Sequence, residues 1–96
     1  MAMYYDIHSQ EKTEAECFER GNIDNFIAFL SSECCDITVR NSKAALVKFP
    51  FGHTKELMVL DGDYVIKGRE IPNTLPKLHE FHVMSARDFK NNYISI

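Results

Sequence analysis

The sequence predicts an α+β fold, a mostly antiparallel sheet of about five or six strands with one amphipathic helix and a short C-terminal helix. Three observations lead there. Several short runs alternate polar and apolar residues with period two, the signature of half-buried strands. One stretch instead spaces Ile23, Phe26, Ile27 and Leu30 at i, i+3, i+4 and i+7, the signature of an amphipathic helix. The chain has 96 residues, 45% of them hydrophobic, which suits a single domain, 1–96, with one core.

Met3-Tyr4-Tyr5-Asp6-Ile7 reads as a short first strand. From Lys12 to Phe18 the alternation is clearer: Lys12, Glu14 and Glu16 fall on a solvent-facing side, Thr13, Ala15 and Cys17 on an inward one. Gly21-Asn22 then breaks the chain, with Asn22 placed to cap the helix over 23–32 and Asp24 suited to its positive N-terminal end. Phe29 lies beside the apolar stripe and widens it. Ile37 and Val39 alternate with polar neighbours, Asn41-Ser42 is a turn, and Ala45, Val47 and Phe49 share a face until Pro50-Phe51-Gly52 ends the strand. Residues 54–60 and 63–68 flank Asp61-Gly62, a pair that favours a type I′ turn and so predicts an antiparallel hairpin. Arg69 to Leu78, with Pro72 and Pro76, reads as a loop. His79 to Met84 alternates again with Phe81 and Val83 inward. Ser85 and Asp88 have capping-box spacing before a short helix that carries Ala86, Phe89 and Tyr93 on one side.

Composition excludes several functions. The formal charge is -3, which gives no general attraction for a nucleic-acid backbone. It also lacks the dense acidity of a DNA mimic. The cysteines, Cys17, Cys34 and Cys35, are odd in number and two are adjacent, which is no disulfide framework and points to a reducing, cytoplasmic setting. The N-terminus carries no basic-then-apolar leader, and the longest apolar run is far short of a membrane span. Phosphate-cradling glycine loops, dinucleotide fingerprints and nucleophile elbows are all missing.

The candidate site residues lie mainly in the C-terminal half. His79-Glu80-Phe81-His82 suggests metal binding, but residues three apart on a strand point to opposite faces, so solvent-facing or hydrogen-bonded histidines are the better reading and no metal is expected. Glu33 and Asp36 flank the cysteine pair and work against a reactive thiolate. Glu14 and Glu16 lack the enclosed pocket that would separate two carboxyl pKa values. Lys67, Arg69, Lys77 and Arg87 form a loose basic group opposite an acidic N-terminal stretch. A ligand site built from Tyr64, Lys67, Arg69, His79, His82 and Arg87 would hold a nucleotide-like anion by charge and stacking. Balanced surface charge is the simpler account. Met1, Met3, Tyr4 and Tyr5, together with Phe49-Pro50-Phe51, are apolar groups suited either to an interface or to the edge of the core.

Gly62-Asp63-Tyr64-Val65-Ile66-Lys67-Gly68 resembles a recurring segment of small phage and prophage proteins, a Gly-Asp-aromatic-Ile-Ile-Lys-Gly run. Glu80-Phe81, Asp88-Phe89 and Tyr93 stand where those proteins have Glu-Phe, Asp-x-Phe and a late Tyr, and Glu14-Ala15, Asn22-Ile23 and Phe29-Leu30 follow their upstream order. This chain departs from them by inserting Arg69 to His79 and by lacking a Pro-x-Lys-Pro step before the last helix. The resemblance implies a phage accessory role in the host cytoplasm and carries no activity to any residue. The resulting expectation is a non-enzymatic binding protein, without cofactor, that counteracts a host defence function by binding a host protein or sequestering a nucleotide-like signal. The alternatives are a small enzyme using His79 or His82 with a carboxylate, and a homo-oligomeric assembly protein.

Overall fold

A computed structural model describes residues 2–41 and 43–96, so Ser42 of the expected Asn41-Ser42 turn lies outside the described residues. The strands are β1 (Ala2–Asp6), β2 (Lys12–Cys17), β3 (Asp36–Arg40), β4 (Ala44–Lys48), β5 (Glu56–Leu60), β6 (Tyr64–Glu70), β7 (His79–Met84) and β8 (Tyr93–Ser95). The helices are α1 (Ile23–Leu30), with a 3₁₀ turn at each end (Arg20–Asn22 and Ser31–Glu33), and α2 (Ala86–Asn92). No described helix is long and apolar enough to cross a membrane.

The α+β class holds, but the strands form two antiparallel sheets rather than one. A five-stranded sheet has the order β7-β6-β2-β1-β8 and a three-stranded sheet the order β3-β4-β5. The expected hairpin across Asp61-Gly62 does not form: β5 pairs with β4, while β6 pairs with β2 and β7. The turn itself explains why. Asp63 N–H donates to Leu60 O at 2.9 Å. Gly62 has φ +88° while Asp61 stays outside the left-handed region. That is type II geometry, which needs a positive φ only at its third residue. The turn is tied elsewhere, with Gly62 N–H on Phe18 O (2.7 Å), Phe18 N–H on Asp63 O (2.8 Å) and Asp61 N–H on Lys43 O (2.9 Å). It therefore passes the chain from one sheet to the other.

Helix α1 forms where the periodicity places it, but its buried face is turned. Phe26 and Leu30 are buried, and Phe29 packs edge-on against Phe81 with ring centroids 5.9 Å apart. Ile27 is 40% exposed, so the stripe runs through Phe29 instead. Asn22 occupies the N-cap position without a side-chain capping bond. Its amide donates to Cys17 O at 2.9 Å and Glu16 Oε2 at 3.2 Å, which fastens the start of the helix to β2. At α2 the expected cap is present: Ser85 Oγ accepts the Asp88 N–H at 3.2 Å.

One core lies between the two sheets and α1, and holds Phe18, Phe26, Leu30, Ala45, Val47, Val59, Val65 and Phe81. A second, smaller core lies on the other face of the five-stranded sheet, where Ala15, Ile66 and Phe89 pack with Tyr4, Tyr64, Met84 and Tyr93. Both faces of β2 are thus covered. This corrects the solvent-facing reading of Glu14 and Glu16: Glu16 is 9% exposed and sits opposite Val65, and Glu14 pairs with Lys67 Nζ at 3.5 Å.

Candidate functional site

The candidate residues do not converge on one site. Tyr64 is used in packing: its ring stacks on Phe89 at 4.0 Å with 1° between planes, and meets Tyr4 edge-on at 6.2 Å. His79 and His82 diverge, as residues three apart on a strand should. His79 turns to the 3₁₀ turn after α1, where Glu33 is 2% exposed. Glu33 Oε1 accepts the His79 backbone N–H at 2.7 Å, and Oε2 lies 3.1 Å from His79 Nδ1. Arg87 is exposed on α2.

Lys67, Arg69 and His82 border one half-open hollow of about 390 Å³, with Asp6, Lys12 and Tyr93. Register nonetheless sets Lys67 opposite Phe81 and His82 opposite Ile66, so the Lys67 ammonium lies on the Glu14 side of the sheet and not beside His82. Desolvation holds the His82 imidazole below its ordinary pKa, against a weaker upward pull from Asp6. Burial acts to raise the Asp6 carboxyl, but the N–H groups of His8 and Ser9 outweigh it and keep the carboxyl low. Near neutral pH the hollow therefore presents the Asp6 carboxylate among its cations, a weak setting for a polyanion.

Arg69 also borders a second hollow of about 370 Å³ with Gly52, His53, Ile71, Pro72 and Glu80. Glu80 anchors its wall by accepting the N–H groups of His53 (2.7 Å) and Thr54 (3.3 Å). The His53 bond, followed by the Thr54 bond, holds its carboxyl below the ordinary pKa against burial. Gly52 has φ +95°, and a Cβ there would strike Glu80 Oε1 and the Ile71 side chain. Only glycine fits that position without strain.

The chemistry for catalysis is thin. The Glu33–His79 pair has the geometry of an oriented imidazole, but His79 makes no bond to a hydroxyl or thiol among the described residues. No group of three or more His, Cys, Asp or Glu is placed to hold a metal among the described residues. All three cysteines are free. Burial, then Glu19 and other acidic neighbours, pushes the Cys17 thiol up to about 11. Burial also raises Cys35, with Glu33 and Asp36 adding to it. These thiols are poor nucleophiles near neutral pH.

The feature that sequence reasoning passed over is the outer face of the three-stranded sheet. Register places Thr38, Leu46 and Met58 in one row across it, and Arg40, Ala44 and Leu60 in the next. Met58 is 57% and Leu60 54% exposed. A charged row, Asp36, Lys48 and Glu56, bounds these two, with Lys48 and Glu56 4.0 Å apart, and exposed Thr38 and Arg40 make the β3 end of both rows polar. The signal was present in the near-continuous apolar runs of β4 (Ala-Ala-Leu-Val-Lys) and β5 (Glu-Leu-Met-Val-Leu). Such runs belong to strands buried on both faces. No protein-family model, no curated protein and no solved structure matches this chain.

Proposed function

We propose that this chain is a non-enzymatic binding protein, a phage-type accessory factor that counteracts a host function by docking a host protein against the outer face of the β3-β4-β5 sheet. The observation that carries this reading is the apolar outer face itself. An open face of an antiparallel sheet is ordinarily polar; here Leu46, Met58 and Leu60 hold that side, and Met58 and Leu60 are more than half exposed. Exposed Met and Leu within a rim of charge match the composition of a recognition surface. The resemblance of residues 62–68 to phage segments supplies the host-directed context, and the absence of a hydroxyl or thiol bonded to His79 among the described residues favours binding over turnover.

Photocrosslinking tests the reading. A benzophenone side chain at position 58 should capture a defined partner in host lysate, one at position 87 should not, and Leu46→Asp should abolish the adduct. Equal capture at both positions, or none at 58, overturns it. A nucleotide-like anion held at the hollow that Lys12, Lys67 and Arg69 border is the second reading. A rise in melting temperature with a nucleotide that Arg69→Ala removes would establish it in place of the first.

A further inference from the structure

The two edges of each sheet are protected to different degrees. Exposed edges invite pairing with other chains and are normally blunted by charge or proline. Edge strand β3 carries Asp36 and Arg40, β5 carries Glu56, and β7 carries Glu80 between two histidines. The fourth edge, β8, reads Tyr-Ile-Ser with Ile96 beyond it, and has neither charge nor proline.

Its outward groups follow from its pairing with β1. Ile7 N–H donates to Asn92 O at 3.0 Å and Ile96 N–H to Met3 O at 3.4 Å. Residues 92, 94 and 96 therefore turn their backbone groups to β1, and Ser95 turns its N–H and C=O away. Tyr93 N–H is already used by Phe89 O. Ser95 is exposed, so this edge is open among the described residues.

Beside the edge lies an apolar stripe. Tyr5 pairs with Ile94, and Met3 lies across from Ile96. By strand alternation Met3, Tyr5, Ile94 and Ile96 share the sheet face that carries Val65 and Val83, but beyond the shelter of α1. Met3 is 40%, Ile94 55% and Ile96 65% exposed.

We propose that β8 pairs antiparallel with β8 of a second copy about a two-fold axis at Ser95, joining two five-stranded sheets into one. The geometry is self-complementary, as a closed two-fold interface requires. Ser95 N–H meets the partner copy's Ser95 C=O and the reverse, and Ile94 of each copy lies across from Ile96 of the other. The stripe on each side then runs Tyr5, Ile94, Ile96, Met3 across the junction. β8 carries no charged side chain, so the pairing brings no like-charged side chains together. This interface uses a different surface from the proposed host-binding face, so either holds without the other.

Light scattering after size exclusion, over about 1 to about 100 μM protein, tests it, because an association of this kind must depend on concentration. Wild type should approach twice the monomer mass at the upper end. Ile94→Lys and Ser95→Pro should stay monomeric with native circular dichroism, and Met58→Asp should still dimerise. Ile94 is exposed, so its substitution tests the interface even if Ser95→Pro perturbs the strand. Wild type at monomer mass throughout overturns the proposal. So does a dimer that survives Ile94→Lys, or one lost only with Met58→Asp.

Discussion

The five-stranded and three-stranded sheets share a core but are covered differently. Along β2 and β6 the larger sheet is packed on both faces, by α1 and the smaller sheet on one side and by Phe89 with its tyrosines on the other. It accepts polar residues into that packing because each has a partner, as with Glu16 and Asn22 or Glu33 and His79. The smaller sheet is packed on one face only, yet it is the one that places leucine and methionine on its open side. Pattern and burial therefore disagree in both sheets, in opposite directions. A polar residue under cover is explained by its hydrogen bonds within the chain. An apolar row left in water has no such internal explanation, which is why the proposed docking is placed there.

The largest test of this contrast is Phe26→Asp. Phe26 is fully buried where α1 meets both sheets. An unpaired carboxylate there costs several kcal/mol, comparable with the whole stability of a small domain. No cooperative urea transition should remain, and a folded variant would show that the shared core does not hold the sheets together. Phe89→Ala comes next. It removes the ring on which Tyr64 and Tyr93 stack and should cost about 3 kcal/mol in urea unfolding. A loss below about 1 kcal/mol would make the second layer a surface ornament rather than a core.

Glu80→Gln is smaller and depends on pH. The native carboxyl is held below its ordinary pKa by the N–H groups of His53 and Thr54. Its stabilisation is therefore complete above the unfolded-state value and lost as pH falls through the folded one. Wild type should exceed the variant by about 1 kcal/mol near neutrality, a modest figure because the site is open to water. The two melting curves should converge once pH drops below the carboxylate range; a gap that widens in acid would reverse the assignment. The smallest effect belongs to Met58→Asp. At a side chain already 57% exposed, the isolated chain should change by no more than about 0.5 kcal/mol. A loss of 2 kcal/mol or more, measured in the same urea series, would mean that this face is covered within the monomer.

Particular elements show how far the sequence could be read. The span of α1, strand β7 with Phe81 and Val83 inward, and the Ser85 cap of α2 all rest on residues within one or two turns of each other, and all were legible. Strand β8 was not, because three residues after a helix carry too little periodicity to stand out. The hollow that Lys67, Arg69 and His82 border was half legible: the residue types were evident, but Asp6 and Lys12 reach it from strands far away in sequence. Glu33 was read only as a neighbour of the cysteines, since its partner His79 lies 46 positions on.

Local physics, then, set the class, the helical segments, the strand runs and the turn positions, since propensity, period and capping act over a few residues. Pairing and layering were settled by contacts distant in the chain. Period two says which side chains share a face, but not which strand lies alongside or what covers that face. A glycine at position 62 suits a type II turn as well as a type I′ hairpin, and the bonds of that turn to Phe18 and Lys43 select the first. With that choice β5 and β6 part into different sheets, and one face of β5 is left open with Met58 and Leu60 exposed on it.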